Sequence, residues 1–276
     1  MDAKRLDEKV AWVTGSSRGI GRVIAAHLAS LGANVVVHGT TPTSPQQLNE
    51  GDSLNAIARE LTADYGTEVM AVHGDLTNEA VVEGVVGEIR QRFGRIDILI
   101  NNAGGDIGSK GVTAENAGKP IVNDALEISL TDVQTILDRN LMTCILVCRA
   151  VAPAMIEREE EWIVTIGSAA GLSGYLSEVS YRVSKAAVHE YTRCPAAQLR
   201  PHGVYVNVIA PGEIITARFE ASRPTKDERK VSTGALTRYG WPMEVAKTVE
   251  FFVTSDSSYV TGQVLRVDGG MQLWPA

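Results

Sequence analysis

The sequence has few cysteines and no excess of positive charge. Its three cysteines, Cys144, Cys148 and Cys194, provide no disulfide framework. Cys144 and Cys148 stand four residues apart on a predicted helix, but no second pair of ligands lies nearby, so we expect small buried side chains and no metal site. The net charge of -7 disfavours nucleic acids and anionic membranes as main partners.

The sequence also lacks an apolar run long enough to cross a membrane. Its first ten residues, MDAKRLDEKV, are charged and contain no apolar stretch of the kind found in signal peptides. We therefore expect a cytoplasmic location. Hydrophobic residues make up 44% of the 276 residues, which is enough for a sizeable core. No linker divides residues 1–276, so a single α/β domain is predicted.

Short apolar runs alternate with helical patterns along nearly the whole chain. Strands are predicted at residues 10–14, 34–37, 69–73, 96–100, 162–166, 204–209 and 264–267. Helices are predicted at residues 20–31, 54–65, 79–93, 130–158, 180–200 and 242–254. This order predicts a single-domain Rossmann fold, in which a doubly wound, seven-stranded parallel sheet carries helices on both faces.

Several polar or glycine residues directly follow predicted strands. They are Gly15, Asp75, Asn101, Ser168 and Pro211. Ligands of such sheets bind beyond the C-terminal ends of the strands, so these residues should meet at one edge. Two polar stretches without a strong period, residues 105–123 and 213–233, are predicted to be substrate loops, and the second could act as a mobile lid.

The turn after the first predicted strand reads TGSSRGIG, residues 14–21. Glycines let the backbone turn tightly and approach a pyrophosphate, and the following helix offers free N–H groups and a positive dipole end. The position of this turn in the first strand–helix unit predicts a dinucleotide site. The residues expected to bind the cofactor here are Gly15, Ser17, Arg18, Gly19, Ile20 and Gly21.

No acidic residue stands at the end of the second predicted strand. An NAD site usually has an acid there for the ribose 2'-hydroxyl, whereas this chain has His38-Gly39-Thr40-Thr41. Arg18 could face a 2'-phosphate, and Thr40 could donate a further hydrogen bond. The sequence therefore favours NADP(H) over NAD(H).

Tyr181 and Lys185 stand four residues apart on a predicted helix and should share one face. A phenol has an unperturbed pKa of about 10, and a nearby ammonium lowers that pKa because it favours the phenolate. The hydroxyl of Ser168, thirteen residues before Tyr181, can hold a substrate oxygen beside the phenol. This set suits reduction of a carbonyl or oxidation of an alcohol, with Tyr181 as general acid or base.

Together these residues resemble the short-chain dehydrogenase/reductase family, in its 3-oxoacyl-reductase-like or sugar-alcohol-dehydrogenase-like branch. The resemblance spans residues 9–270. The motifs that carry it are TGSSRGIG, Gly74-Asp75-Leu76, Asn101-Asn102-Ala103-Gly104, Asn140, Ser168, Tyr181-Arg-Val-Ser-Lys185, Pro211-Gly212 and Val267-Asp268-Gly269-Gly270.

The resemblance implies roles for residues beyond the glycine-rich turn. Asp75 and Leu76 would border the adenine, and Asn101 would face the adenosine side of the cofactor and help hold the end of the fourth strand. Ala103 would also contact the cofactor. Asn140 would hold a water in a proton relay. Cofactor contacts at the nicotinamide end would come from Tyr181, Lys185, Pro211, Gly212, Ile214 and Thr216. The family usually forms dimers or tetramers through helices that correspond to residues 130–158 and 180–200.

Two features depart from the family pattern. Pro195 lies inside the predicted helix 180–200, where it should cause a kink and alter an interface. The segment 106–123 is longer than usual and could shape the substrate pocket.

His189 and His202 have no matching ligand partners, and we expect both on the surface.

Two classes of function follow from these patterns. The first is an NADP(H)-dependent carbonyl reductase or alcohol dehydrogenase, within which a 3-oxoacyl thioester reductase and a sugar or polyol dehydrogenase both stay open. The second is a cofactor-sensing regulator without turnover. A regulator of that kind should have lost Tyr181, Lys185 or Ser168, and all three are present.

Overall fold

The computed structural model describes residues 5–158 and 161–273. Its seven strands form one parallel sheet in the order β3-β2-β1-β4-β5-β6-β7, which confirms the predicted fold class. The chain changes direction across the sheet between β1 and β4, the position at which ligands bind in doubly wound folds. The strands are β1 Val10–Val13, β2 Asn34–Gly39, β3 Val69–His73, β4 Ile98–Asn101, β5 Glu161–Ile166, β6 Val204–Pro211 and β7 Val264–Val267.

Helices cover both faces of this sheet. Along β1, Ala11 and Val13 point into one apolar core and Val10 and Trp12 into the other, because successive side chains of a strand alternate. The first core contains residues of α1, α2 and α8, and the second contains residues of α3, α5 and α6. The helices are α1 Gly19–Ser30, α2 Leu54–Tyr65, α3 Glu79–Phe93, α4 Leu130–Leu137, α5 Thr143–Ile156, α6 Val179–Leu199, α7 Ala217–Ala221 and α8 Pro242–Phe252.

The single helix expected over residues 130–158 is instead two α-helices joined by a π turn. The turn spans Asp138–Met142, and α5 ends at Ile156. Asn140 lies within it, and its Nδ2 donates to the carbonyl of Ile136, four residues earlier, at 2.8 Å. A side chain that bonds the backbone of its own helix competes with the regular ladder. The π turn places Asn140 at the C-terminal edge of the sheet.

The helical stretch Leu130–Ile156 is long and apolar enough to cross a membrane by length and composition, contrary to the expectation that no such run exists. Its residues Val147, Val151 and Met155 are buried in the second core. The core helices of soluble proteins meet the same criteria, so the apolar character of this stretch is explained by its packing against the sheet.

Pro195 does not end α6. The helix continues through it to Leu199. Tyr181 and Lys185 lie more than two turns earlier, in a regular part of the same helix.

Two acidic side chains are buried together at the edge of the sheet opposite the C-terminal strand ends. Asp97 and Glu161 are both fully buried. Asp97 accepts the N–H of Val10 at 2.7 Å and pairs with Arg95. Burial, together with the nearby Asp97 carboxylate, raises the pKa of Glu161 to about 8. Glu161 is therefore largely protonated at neutral pH, which avoids placing two charges side by side.

We expect Glu161→Gln to stabilise the protein at alkaline pH. The pKa of Glu161 is higher in the folded state than its ordinary 4.5, so between pH 4.5 and about 8 the folded state binds more protons than the unfolded state. The free energy of unfolding therefore falls as the pH rises through this range. Glutamine carries no charge at any of these pH values. Its unfolding midpoint should exceed that of the parent by roughly 5 °C at pH 8.5 and match it near pH 4.5. Equal midpoints at both pH values would contradict the assignment.

Candidate active site

A cleft of about 1000 Å³ lies beyond the C-terminal ends of the strands. Asn101 and Asn140 are the two predicted site residues that do not line it. The predicted residues that line it are Gly15, Ser17, Arg18, Gly19, Ile20, Gly21, Thr40, Asp75, Leu76, Ala103, Ser168, Tyr181, Lys185, Pro211, Gly212, Ile214 and Thr216.

Asn101 points away from the cleft. It is the last residue of β4, and its Nδ2 donates to Cys148 Sγ of α5 at 3.1 Å in the second core. The expected contact with the adenosine side is therefore corrected to a packing role within the sheet. The next residue, Asn102, turns the other way, and its Nδ2 donates to the carbonyls of Thr14 and Gly15 at 3.0 Å.

The glycine-rich turn packs tightly against the end of β4. Gly15 has φ +63°, and a Cβ added there would lie 2.8 Å from the Cα of Ala103. A Cβ at Gly21 would lie 2.4 Å from Asn102 Nδ2. Both positions exclude a side chain, so the close approach of this turn to β4 depends on glycine.

His38 is a supporting residue that the sequence reasoning missed. It is buried at the end of β2, where its Nδ1 accepts the N–H of Gly15 at 3.1 Å and its Nε2 lies 3.0 Å from the carbonyl of Gly74. Burial lowers the pKa of His38 to about 4, so the ring is neutral at pH 7. A neutral ring can accept at Nδ1 and donate at Nε2, which ties the glycine-rich turn to the end of β3.

The N-terminus of α1 opens into the cleft without a side-chain cap from its own N-cap residue, Arg18. Glu50 fills this position from the loop after β2, since its Oε2 accepts the N–H of Gly19 at 2.8 Å. The other carboxylate oxygen is buried without a hydrogen-bond partner. The start of α1 therefore already binds an anion, as a phosphate cradle should. A dinucleotide phosphate that binds there must displace the Glu50 carboxylate.

Arg18 lies at the same end of the cleft. Its Nη1 donates to the carbonyl of Ser44 at 2.9 Å and to Gln47 Oε1 at 2.8 Å, both on the loop after β2. Thr40 lies at the start of that loop and is exposed in the cleft. A cationic and a hydroxyl side chain thus border the region where β2 ends, beside the acidic Glu50.

Ser168, Tyr181 and Lys185 meet at the other end of the cleft. Ser168 precedes a short 3-10 turn, and its Oγ accepts the N–H of Ala170 at 3.1 Å. Tyr181 and Lys185 lie in the first turns of α6, with Lys185 Nζ 5.8 Å from the centroid of the tyrosine ring. The same Nζ donates to the carbonyl of Ile166 at 2.8 Å.

The pKa values of these groups differ from the sequence expectation. Burial raises the pKa of Tyr181, while a hydrogen bond with Ser168 and the charge of Arg218 act in the opposite direction. The structure therefore does not show the lowering expected from Lys185. Burial lowers the pKa of Lys185 itself to about 8, so this amine can gain or lose a proton near physiological pH.

Asn140 contacts the loop after β4 rather than the cleft. Its Nδ2 donates to the carbonyl of Gly105 at 3.0 Å, and its Oδ1 accepts the N–H of Gly105 at 2.9 Å. A Cβ at the neighbouring Gly104 would lie 2.5 Å from Asn140 Oδ1 and 3.6 Å from Lys185 Nζ. Asn140 therefore fixes the backbone that passes directly beside Lys185.

His189 is buried, and the expectation of a surface position is wrong. Its Nε2 accepts the backbone N–H of Ser168 at 3.2 Å, and burial lowers its pKa to about 4, which keeps this nitrogen free to accept. A signal for this role was available, because Tyr181, Lys185 and His189 follow one another at four-residue spacing on α6.

The two segments predicted to be substrate loops border the cleft. Residues 105–123 contain a short 3-10 turn at Glu115–Gly118, and residues 213–233 contain α7. The second loop is held by ion pairs, among them Arg229 with Glu213 at 2.6 Å and Lys230 with Glu220 at 2.7 Å. Both predicted loops thus lie at the end of the cleft that contains Tyr181.

Comparison with known proteins agrees with the fold and the motifs described above. The family model described as short chain dehydrogenase matches residues 9–227. The chain is 35% identical over 270 residues to the 3-oxoacyl-[acyl-carrier-protein] reductase FabG of Aquifex aeolicus (strain VF5), with 97% of this chain and 98% of that protein covered. It is 37% identical over 271 residues to the cyclohexanol dehydrogenase of Rhodococcus sp. (strain TK6), with 95% and 96% covered.

A solved structure extends the likeness to three dimensions. It is a 7 alpha-hydroxysteroid dehydrogenase complexed with NADH and 7-oxo glycochenodeoxycholic acid. The two folds agree with a TM-score of 0.82 at 29% identity, covering 98% of this chain and 96% of that one. By its fold, its motifs and these matches, the chain belongs to the short-chain dehydrogenase family.

Proposed function

We propose that the protein transfers a hydride between NADP(H) and a carbonyl or secondary alcohol substrate, with Tyr181 as general acid or base. The observation that carries this proposal is the placement of Ser168, Tyr181 and Lys185 in the same cleft as the glycine-rich turn. The family consists of oxidoreductases that use a nicotinamide dinucleotide, and the two similar enzymes act, by their names, as a reductase and an alcohol dehydrogenase.

The residues fit such a cofactor because the start of α1 binds an anion and the cleft continues from there to Tyr181. When bound, the nicotinamide supplies or accepts the hydride. The Ser168 and Tyr181 hydroxyls donate hydrogen bonds to the substrate carbonyl oxygen, and Tyr181 gives its proton to the developing alkoxide. Lys185, with its pKa near 8, then restores that proton. Oxidation of an alcohol reverses each proton transfer.

The preference for NADP(H) rests on Arg18 and Thr40 beside the end of β2. A guanidinium binds a phosphate dianion by charge-assisted hydrogen bonds, each of which is worth about twice a neutral one. Glu50 opposes this preference, because its carboxylate lies at the start of α1. The balance between these charges sets the discrimination between the two cofactors.

A panel of aldehydes, ketones and keto sugars, assayed by the loss of reduced cofactor absorbance, tests the proposal. We expect turnover with NADPH to exceed that with NADH, and Arg18→Ala to reduce the NADPH rate by about 10-fold while leaving NADH nearly unchanged. Silence across the panel, with tight cofactor binding, would favour the cofactor-sensing regulator. An unchanged cofactor ratio in Arg18→Ala would refute the role of Arg18.

Two substrate classes fit this site, a 3-oxoacyl thioester and a sugar or polyol. The likeness to a 3-oxoacyl-[acyl-carrier-protein] reductase supports the first, and the polar lining of the loops supports the second. A cytoplasmic homodimer or homotetramer, assembled through α4 with α5 and through α6, completes the proposed description.

A further inference from the structure

Besides Lys185, the catalytic end of the cleft contains four cations, although the chain as a whole is acidic. Lys119, Arg182, Arg218 and Arg223 all line the cleft near Tyr181. The net charge of the chain is -7. Positive side chains concentrated at one point of an acidic protein attract anions to that point.

Three of these cations share one carboxylate. Lys119 Nζ lies 2.6 Å from Glu178, and the guanidinium groups of Arg182 and Arg223 each lie 3.6 Å from it. Arg223 also packs over the ring of Phe219 at 4.6 Å. These three side chains are therefore fixed by partners within the protein.

Arg218 has no such carboxylate partner among the residues that the structure describes. Its Nη2 donates to the backbone carbonyl of Asp106, and its Nε is buried without any hydrogen-bond partner. The Asp106 side chain forms no salt bridge with Arg218. Both of its carboxylate oxygens accept from Asn123 Nδ2, at 3.1 and 3.3 Å, and its charge acts on Arg218 only at longer range. A guanidinium withdrawn from water with an unused donor is a binding group for an anion.

Arg218 also lies next to the reacting groups. A Cβ at Gly105 would lie 3.5 Å from Arg218 Nη1, and Gly105 is the residue whose backbone Asn140 holds. The preceding Gly104 lies beside Lys185 Nζ. Arg218 and Tyr181 line the same cleft and lie close enough for the charge of Arg218 to act on the phenol. A substrate whose oxygen contacts Tyr181 and Ser168 would therefore place its neighbouring carbons near Arg218.

We propose that Arg218 binds a carboxylate of the substrate, so that the substrate class is a hydroxy acid or oxo acid whose carboxylate lies a few bonds from the reacting carbon. This inference rests on the proposed function. A single guanidinium without a salt-bridge partner among the described residues matches the single charge of a carboxylate better than the charge of a phosphate, which is about two at neutral pH. The planar fork of arginine also matches the geometry of a carboxylate.

The experiment compares oxo acids of increasing chain length with their primary amides, which keep the shape and lose the charge. In the parent enzyme kcat/KM for the best acid should exceed that for its amide by about 100-fold. Arg218→Gln should reduce kcat/KM for the acid by about 100-fold and leave the amide within about threefold. The kcat/KM of Arg218→Lys for the acid should lie between those of the parent and of Arg218→Gln, because lysine keeps the positive charge but lacks the planar fork of donors.

Arg92→Gln is the matched control, since Arg92 is exposed on α3, away from the cleft, and pairs with Glu68. Equal kcat/KM for acids and amides in the parent enzyme would overturn the inference. So would an Arg218→Gln variant whose Kd for NADPH, measured by fluorescence titration without substrate, rises as much as its kcat/KM falls, because Arg218 would then bind the cofactor.

A measurement without turnover separates this inference from the proposed function. Hydroxy acids should raise the unfolding midpoint of the parent protein loaded with NADP+, and should not raise that of Arg218→Gln. If this shift occurs while every substrate fails to react, the carboxylate site stands and the proposed activity fails. If amides are reduced and no acid shifts the midpoint, the activity stands and the carboxylate site fails.

Discussion

A Tyr181→Phe variant should lose turnover by about 10³-fold while it still binds the cofactor, since general acid catalysis by one side chain contributes about 10²–10⁴-fold. Removing the phenolic oxygen removes both the proton donor and one of two hydrogen bonds to the substrate oxygen. The ring itself stays, so its packing on α6 beside Lys185 is kept. Steady-state rates and a fluorescence titration with NADPH measure the two effects separately.

Tyr259→Phe provides the control, because Tyr259 is fully exposed and the chemical change is the same. Its rates should match those of the parent. If Tyr181→Phe retains turnover within a few-fold of the parent, Tyr181 is not the proton donor. Loss of NADPH binding in Tyr181→Phe would instead indicate a disturbed cleft.

The elements that bury apolar surface were the ones that the sequence could predict. β1, β2, β4, β5 and β6 are buried almost throughout and read as apolar runs. Helix ends such as that of α2 coincide with glycine in a left-handed conformation, here Gly66. The gathering of Ser168, Tyr181 and Lys185 follows from the rule that parallel strands present their C-terminal ends at one edge. These features depend on local pattern and topology alone.

The features that were missed depend on contacts between distant parts of the chain. Glu50 reaches Gly19 only because the loop after β2 folds back over α1. Arg218 keeps a buried donor without a partner while the neighbouring Asp106 carboxylate bonds Asn123, an arrangement that no spacing reveals. The π turn likewise carries a long-range contact, since Asn140 within it bonds Gly105 on the loop after β4. Tertiary pairing of polar groups, rather than periodicity, decided each of these cases.

Lys185→Met should reduce kcat/KM by about 10²-fold near pH 7. It should also abolish the dependence of kcat/KM on pH around 8, because kcat/KM reports the ionisations of the free enzyme. The buried amine has its pKa lowered to about 8, so its ammonium form is present below that pH and is lost above it. If the ammonium restores the proton of Tyr181, the rate of carbonyl reduction in the parent should fall as pH rises through about 8. Methionine has no proton to lose, so its lower rate should stay level over this range.

Lys185→Arg separates the charge from its ionisation, because a guanidinium stays protonated throughout the accessible pH range. Its reductase rate should be reduced by the altered shape yet show no decline near pH 8.

The dependence of stability on pH gives an independent check of the pKa of Lys185. The pKa of Lys185 is lower in the folded state than its ordinary 10.5, so the unfolded state binds more protons between about 8 and 10.5 and the parent should gain stability as pH rises through that window. Lys185→Met should lack that gain. A parent enzyme whose reductase rate is level from pH 6 to 9, or whose stability does not depend on Lys185 above pH 8, would show that the amine keeps an ordinary pKa and does not restore the proton.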